Sequence, residues 1–417
     1  MGNIKKTVMP FLILLIMGVI GYTLLVAAYS LPANRIEQHV KESSVYFGKK
    51  DNNLMAAKSA TLDNFTDSLM LLIAAHENGD GAWEAAINCA NYEKQDRGPE
   101  ESLIAIYGNG EAADLESPYG RYWHGYLIFL KPLLCFLNYG EIRSLMCFFQ
   151  LGVFAALLLK IQEKKKELCI PCFLLWIFLN PIATMLSLQY NTMYMITFGT
   201  MLFVLIKIDE WDIEHMYHWS MTFMIAGALT SYFDLLTYPL LSLGVPLVLW
   251  LTFKYSKSLG DNIKNIVNLC SFWGIGYGCM WALKWLIGDL LTDSQIITSA
   301  IEAILFRTSS SLEEIRFSYN DVLKEQMIYS RQEMLAVAIG IIFMVFIARI
   351  LKQKRLDVVK LFIHIVISML PFVWYYALQN HSYIHGKFTY RILGISVFAL
   401  TTYFMTYDDK MEKIREL

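Results

Sequence analysis

The chain has 417 residues, of which 56% are hydrophobic and only 17% charged, with a formal net charge of −2; its mean hydropathy is +0.41. Soluble domains carry about a quarter charged residues, so a soluble enzyme with a simple anchor and a nucleic-acid-binding module are both excluded. Apolar runs of about 20 residues, enough to cross a hydrocarbon core of roughly 30 Å, recur along most of the chain. The expected fold class is therefore an all-α polytopic membrane protein, one membrane domain over 1–417 with about ten transmembrane helices.

The first run, "KKTVMPFLILLIMGVIGYTLLVAAYS", puts lysines ahead of a long apolar stretch with no convincing small-residue cleavage site. It reads as a retained signal-anchor, spanning 8–30. Residues 31–140 are mostly polar with short amphipathic pieces and form a first extracytoplasmic loop. Within it, "TLDNFTDSLMLL" sets Asp63 and Asp67 just ahead of an apolar helix. The loop ends in "SPYGRYWHGYLIFLKPLL", which brings Arg121, His124 and Lys131 toward the membrane.

Residues 122–138 are apolar enough to be a further span, and the positive-inside rule decides against it. A crossing there would put "KIQEKKKE" (160–167) outside and flip every later basic loop. Without a crossing, Lys5, Lys6, Lys160, Lys164, Lys165, Lys166, Lys207, Lys254, Lys257, Lys264, Arg349, Lys352, Lys354, Arg355, Lys360, Lys410, Lys413 and Arg415 all face the cytoplasm. Residues 122–138 are thus an interfacial or re-entrant helix, with His124 and Lys131 near the outer surface. The remaining spans fall at 141–160, 169–188, 192–207, 217–233, 236–253, 266–288, 333–351, 357–378 and 391–407, and both termini are cytoplasmic. A second extracytoplasmic loop, 289–332, carries a helical pattern at Ile297, Ile301 and Ile304. The seven cysteines lie mostly in spans, so no disulfide framework is expected, and "CIPC" (169–172) reads as packing.

Polar groups collect at the outer level. The turn after the third span holds Gln189, Tyr190 and Asn191, and the turn after the fifth holds Tyr232, Asp234 and Thr237. The last outer turn, "QNHSYIHGKFTYR" (379–391), holds His381, His385, Lys387 and Arg391. A charge beside hydrocarbon costs at least ~2.5–3.5 kcal/mol, so these groups are paired or functional. Each also has a structural reading. Asp63 suits a helix N-cap, worth ~1 kcal/mol, and Asp67 suits the same helix's dipole. Arg391 could snorkel or pair with Asp234. His381 and His385 share a helical face but have no third metal ligand nearby. Gln189 and Asn191 could satisfy a tight turn, and Lys284, between Trp281 and Trp285, could snorkel. The sequons at Asn64 and Asn380 overlap these groups and are discounted.

As a set, these features resemble the GT-C superfamily of integral-membrane glycosyltransferases. The features are a first span, a large outer loop with an early acidic pair (Asp63, Asp67), an amphipathic "LIFLKPLLCFL" segment, a span opening "EIRSL" (Glu141, Arg143), and a basic final outer turn. The resemblance covers most of the chain as architecture and a few motifs as sequence. It implies transfer of a sugar from a polyprenyl-phosphate carrier to an extracytoplasmic glycan or lipid-linked acceptor. Asp63 is then the general base, with Asp67 second. Arg391, Lys387, His385, His381 and Arg121 bind the donor phosphate, whose developing charge preplaced cations stabilise. Asp234, Gln189, Asn191, Tyr232 and His124 bind sugar or acceptor. One base and a phosphate clamp imply a single inverting displacement. No cofactor is required, and a divalent metal is left open but not indicated.

The chain lacks the large soluble C-terminal domain of oligosaccharyltransferases and a second strong acidic motif. A lipid-linked or cell-wall polysaccharide acceptor therefore fits better than a protein. The expected location is a plasma membrane of bacterial type, with the active site extracytoplasmic. Two alternatives stand beside this reading. One is a polysaccharide polymerase or ligase using lipid-diphosphate donors, for which the 289–332 loop speaks. The other is a multi-pass transporter or lipid flippase, against which the absence of a visible repeat speaks.

Overall fold

The computed structural model describes residues 2–48, 57–76, 79, 81–350 and 357–406. The described residues are all-α apart from two short antiparallel strand pairs. Helix α1 (Gly2–Tyr29) leads into α2 (Ala33–Ser43), α3 (Asn64–Ala75), α4 (Ala82–Asn88), α5 (Pro99–Leu103) and α6 (Leu127–Leu134). Then come α7 (Tyr139–Lys165), α8 (Cys169–Phe178), α9 (Pro181–Leu186), α10 (Leu188–Lys207), α11 (Met216–Phe233), α12 (Leu241–Lys254) and α13 (Leu259–Leu291). The chain continues through α14 (Ile296–Thr308), α15 (Tyr319–Ile350), α16 (Val358–Ser368), α17 (Leu370–Ala377), α18 (Gln379–Ile384), α19 (Gly386–Thr389) and α20 (Gly394–Met405). Strand β1 (Asn91–Glu93) pairs with β2 (Leu115–Ser117), and β3 (Ser311–Leu312) with β4 (Ile315–Arg316), both antiparallel.

Among the described residues, five stretches are long and apolar enough to cross a membrane: Val8–Tyr29, Tyr139–Phe178, Leu259–Leu291, Val358–Ala377 and Gly386–Met405. Residues 122–138 do not form one long helix. Only α6 is helical there, preceded by turns. The expected loop 289–332 is largely helical: it contains α14, and α15 starts at Tyr319 and runs without a break to Ile350.

Local signals set the ends. Asn138 and Glu141 form a reciprocal capping box at the start of α7, which satisfies two backbone donors that a helix leaves open. Ser258 caps α13 and Asp357 caps α16. Asn180, in the left-handed region at φ 56°, turns the chain into α9 ahead of Pro181 and caps it.

Helix α12 is buried on all sides from Leu241 to Thr252, so it needs no polar face. It forms the middle of one core with α8, α10 and α20. A second core joins α2, α3, α4 and α5 to α1, α6, α11 and α13. Helices α11 and α13 approach closely at Gly227 and Gly276. A Cβ on Gly276 would lie 1.9 Å from the Met224 carbonyl oxygen, and one on Gly227 would lie 2.1 Å from that of Trp273. Small residues at a crossing of this kind let apolar helices pack backbone to backbone.

Two lysines fasten α3 and α4 to this frame. Lys131 is buried, at 3% exposed, and donates from Nζ to the Ala74 carbonyl at 2.7 Å, at the end of α3. Burial pulls its pKa down to about 8. Lys284 does not snorkel. It is 1% exposed and donates to the Ile87 and Ala86 carbonyls at 2.7 and 3.2 Å, at the end of α4. Both ammonium groups thus meet carbonyls that a helix C-terminus leaves unpaired. All seven cysteines are free thiols.

Candidate functional site

The site is built where the start of α3 meets α19. Asp63 is the N-cap of α3. Its Oδ2 accepts from Thr66 Oγ1 at 2.8 Å, and its own backbone N–H points at Ser187 Oγ at 3.3 Å. The structural and functional readings of Asp63 hold together, because Oδ1 also accepts from Lys387 Nζ at 2.7 Å. The pair joins residues 324 positions apart. The carboxylate is fully buried, while the Lys387 side chain keeps 26% of its surface exposed. One end of the pair therefore faces out of the protein.

His385 lies beside this pair, half-buried, with its ring stacked on Phe388 at 4.9 Å and 4.8 Å from the His381 ring. Burial, aided by the nearby Arg307 charge, lowers its pKa to about 4, and Asp63 and Lys387 also act on it. At neutral pH it is an uncharged ring between two cations. His381 is not a free cation either. Its Nδ1 accepts from Arg307 Nη1, so Nε2 carries the proton and donates to the Leu236 carbonyl at 2.7 Å. Burial drives its pKa well below the usual value. That bond holds Leu236 at φ 67°, a conformation a branched residue rarely adopts. It ties the Asp234 turn to α18.

Arg307, at the end of α14, is the residue that the sequence reading missed. Besides His381 it donates to Tyr122 Oη at 3.0 Å. Arg121 lies over Tyr119 at 4.3 Å and Tyr122 at 5.6 Å, its Nε buried with no hydrogen-bond partner. Both arginines act on the Tyr119 phenol. Lys387, Arg307 and Arg121 thus share one side of the molecule. A lone arginine ending an amphipathic helix looks like a charge placed for the helix dipole, and only the tertiary fold shows that it turns inward.

Several expected ligands have other work. Arg391 is fully buried and offers nothing to a phosphate. It donates to the carbonyls of Leu179 (2.9 Å), Lys387 (2.9 Å) and Ser59 (3.2 Å) and stacks on Tyr190 at 4.1 Å. It braces the chain on both sides of the Asp63–Lys387 pair. Asp67 is no base in this arrangement. Its oxygens accept from Tyr139 Oη (2.6 Å) and from the backbone N–H groups of Leu188 (2.9 Å) and Gln189 (3.0 Å). It caps the start of α10, and burial raises its pKa to about 7 against the pull of those donors. Gln189 contributes its backbone to this cap, so the sugar-binding role expected of it has no support from that contact.

Tyr232 and His124 are packing residues rather than sugar ligands. Tyr232 Oη donates to the Gly21 carbonyl at 2.7 Å. His124 donates from Nε2 to the Tyr119 carbonyl and accepts at Nδ1 from Tyr126 Oη, both at 2.9 Å. Burial lowers its pKa to about 3. Asn191 accepts from Gln150 Nε2 at 2.8 Å and lines an apolar groove instead. Asp234 accepts from the Thr237 backbone N–H at 2.9 Å and from its hydroxyl. Burial raises its pKa to about 7, and it does not pair with Arg391.

The groove, of about 880 Å³, runs between α6, α7, α10 and α11. Met70 and Leu188 line it next to Asp67, and Phe203 lines it farther along α10. Asn191, Thr192, Thr200 and Thr222 are among its few polar residues. Only the α9–α10 junction separates it from Asp63, since Ser187 meets Asp63 and Leu188 meets Asp67. Among the described residues no group of three or more His, Cys, Asp or Glu side chains is placed to share a metal ion. In comparisons with known proteins, the chain matches no family model, no curated protein and no solved structure.

Proposed function

We propose that the chain is a membrane glycosyltransferase of GT-C type, moving a sugar from a polyprenyl-phosphate carrier to an extracytoplasmic glycan or lipid-linked acceptor with inversion. The observation that carries this reading is the Asp63–Lys387 pair, with a buried carboxylate from the opening loop against a part-exposed cation from the closing turn. Around it, ten spans with both termini cytoplasmic would put the pair on the outer side, in a plasma membrane of bacterial type. The groove beside α10 suits a prenyl tail by its volume and its nearly apolar walls.

In the reaction, the acceptor hydroxyl gives its proton to Asp63 as its oxygen bonds to the anomeric carbon. The bond from that carbon to the phosphate oxygen breaks, and the phosphate leaves with the electron pair. Arg307 and Arg121 receive that negative charge. Lys387 is shared: an arriving phosphate competes for it with Asp63 and leaves the carboxylate freer to accept a proton. The sugar lies over neutral His385, between base and phosphate site. No step here calls for a resident cofactor.

The same apolar groove would serve a lipid flippase, so the assay must separate transfer from translocation. Purified protein in nanodiscs, which have no lumen, is offered polyprenyl-phosphate sugars and lipid-linked or polysaccharide acceptors, and products are read by mass spectrometry. The expected result is a glycosylated acceptor with release of polyprenyl phosphate, lost in Asp63→Asn. Translocation in proteoliposomes with no transfer across the donor panel would replace this reading with the flippase.

A further inference from the structure

The Ile297, Ile301, Ile304 pattern has no part in the chemistry above. It lies on α14, which is anchored at both ends and bare between them. At its start, Asp289 accepts from the backbone N–H groups of Ile296 and Ile297, and Ile296 and Ala300 are 3% and 2% exposed. At its end, Arg307 turns inward to Tyr122 and His381. The outward face is mainly apolar: Ile301 is 50% exposed, Leu305 65% and Phe306 50%, with Thr298, Glu302 and Thr308 exposed among them. Leu290 and Leu291, which end α13, extend this patch at 79% and 62% exposed.

A soluble surface rarely leaves so many large apolar side chains together. Helix α13 is itself long and apolar enough to cross a membrane, so the patch on α14 continues a surface that faces hydrocarbon. An amphipathic helix with its apolar face outward and its polar anchors inward lies in the plane of an interface. We infer that α14 is embedded in the outer leaflet, and that its occupant is lipid rather than a second protein. It holds Arg307 at the level of the lipid headgroups, so the anion that Arg307 binds enters sideways from the membrane and not from bulk water. Glu302, exposed between Leu305 and Phe306 around the helix, reaches up to the headgroups. The last part of this inference rests on the glycosyltransferase reading; the embedding of α14 does not.

Two arms test it. Wild-type protein in nanodiscs is photolabelled with a phospholipid carrying a diazirine in its acyl chain, and labelled residues are mapped by mass spectrometry. Label on Ile301, Leu305 or Phe306 is expected. Label on α13 with none on α14, or crosslinks from α14 to a second copy, overturns the inference. In the second arm, Leu305→Glu combined with Phe306→Glu is compared with wild type on a long polyprenyl-phosphate donor and on a short, water-soluble prenyl-phosphate donor. A loss of about tenfold is expected for the long donor alone, since a carboxylate in the interface is disfavoured there. Equal loss with both donors overturns entry from the membrane. If wild type transfers from neither donor, the glycosyltransferase reading falls, and the photolabelling still decides where α14 lies.

Discussion

Replacing Asp63 by Asn separates what this residue does for the fold from what it does for chemistry. Asn caps a helix about as well as Asp, so the start of α3 keeps its hydrogen bond with Thr66. The change removes the negative end of the contact with Lys387, at 2.7 Å. A charge-assisted hydrogen bond contributes about 1.5–3 kcal/mol, and breaking a fully buried pair costs about 3–5 kcal/mol. Lys387 keeps 26% of its side-chain surface exposed, so water replaces part of the lost partner and the lower range applies. General-base catalysis contributes about 10²–10⁴ in rate, or roughly 3–5 kcal/mol of barrier at 1.36 kcal/mol per tenfold. The expected outcome is a protein less stable by about 1.5–3 kcal/mol whose turnover at saturating donor falls by at least about a hundredfold. Thermal unfolding in nanodiscs and a turnover assay on the same preparation measure the two effects. Adding Lys387→Met to Asp63→Asn removes the stranded ammonium and should restore stability without restoring turnover. Turnover of the single variant within about threefold of wild type would show that Asp63 is only a cap.

Asp67→Asn should do the opposite. An amide cannot accept from Tyr139, Leu188 and Gln189 through both of its ends, so the variant loses about 2–4 kcal/mol of stability, read as lowered Tm, while the folded fraction keeps its turnover. Arg307→Ala should raise the KM for donor by about ten- to a hundredfold, equivalent to one lost charge-assisted contact, with little change in Tm, because its partners Tyr122 and neutral His381 retain other contacts. The pH dependence follows from His124. Its folded pKa, near 3, lies below the unfolded value of about 6.5, so below pH 6.5 the unfolded chain binds a proton that the folded chain refuses. This position therefore removes about 2 kcal/mol of stability between pH 7 and pH 5. In His124→Gln, whose amide can serve the same two partners without titrating, that part of the acid slope should disappear from a plot of Tm against pH. The buried Asp67 and Asp234, with folded values near 7, act with the reverse sign, their stabilising effect falling as pH rises from about 4 to 7. The comparison must therefore be made between variant and wild type at each pH.

What could be read from residues alone depended on the range of the interactions. Periodicity and hydropathy located most helices, because each helix closes its own backbone hydrogen bonds. The charge pattern kept 122–138 from being read as a span, and only α6 is helical there. The cap at Asp63 was legible for the same local reason. Its partner Lys387 was legible only as one cation in a crowded turn, since 324 residues separate the two.

Arg391 shows where such reading fails. A basic residue at the end of an outer turn suggests a ligand for anions, because few sequence neighbours could neutralise it. Its partners are instead backbone carbonyls of Ser59, Leu179 and Lys387 and the ring of Tyr190, none of which a sequence marks as acceptors. Arginine suits this use, since its planar head stacks on an aromatic face while five N–H groups reach separate oxygens. Lysine in its place would keep the charge but lose both the stacking and the fork. Asp67 is the acidic counterpart, a carboxylate spent on the open N–H groups of α10. In both cases a buried charge is stabilised by backbone dipoles rather than by an opposite charge. Lys387 differs from both, because its partner is the Asp63 carboxylate and part of its side chain stays exposed.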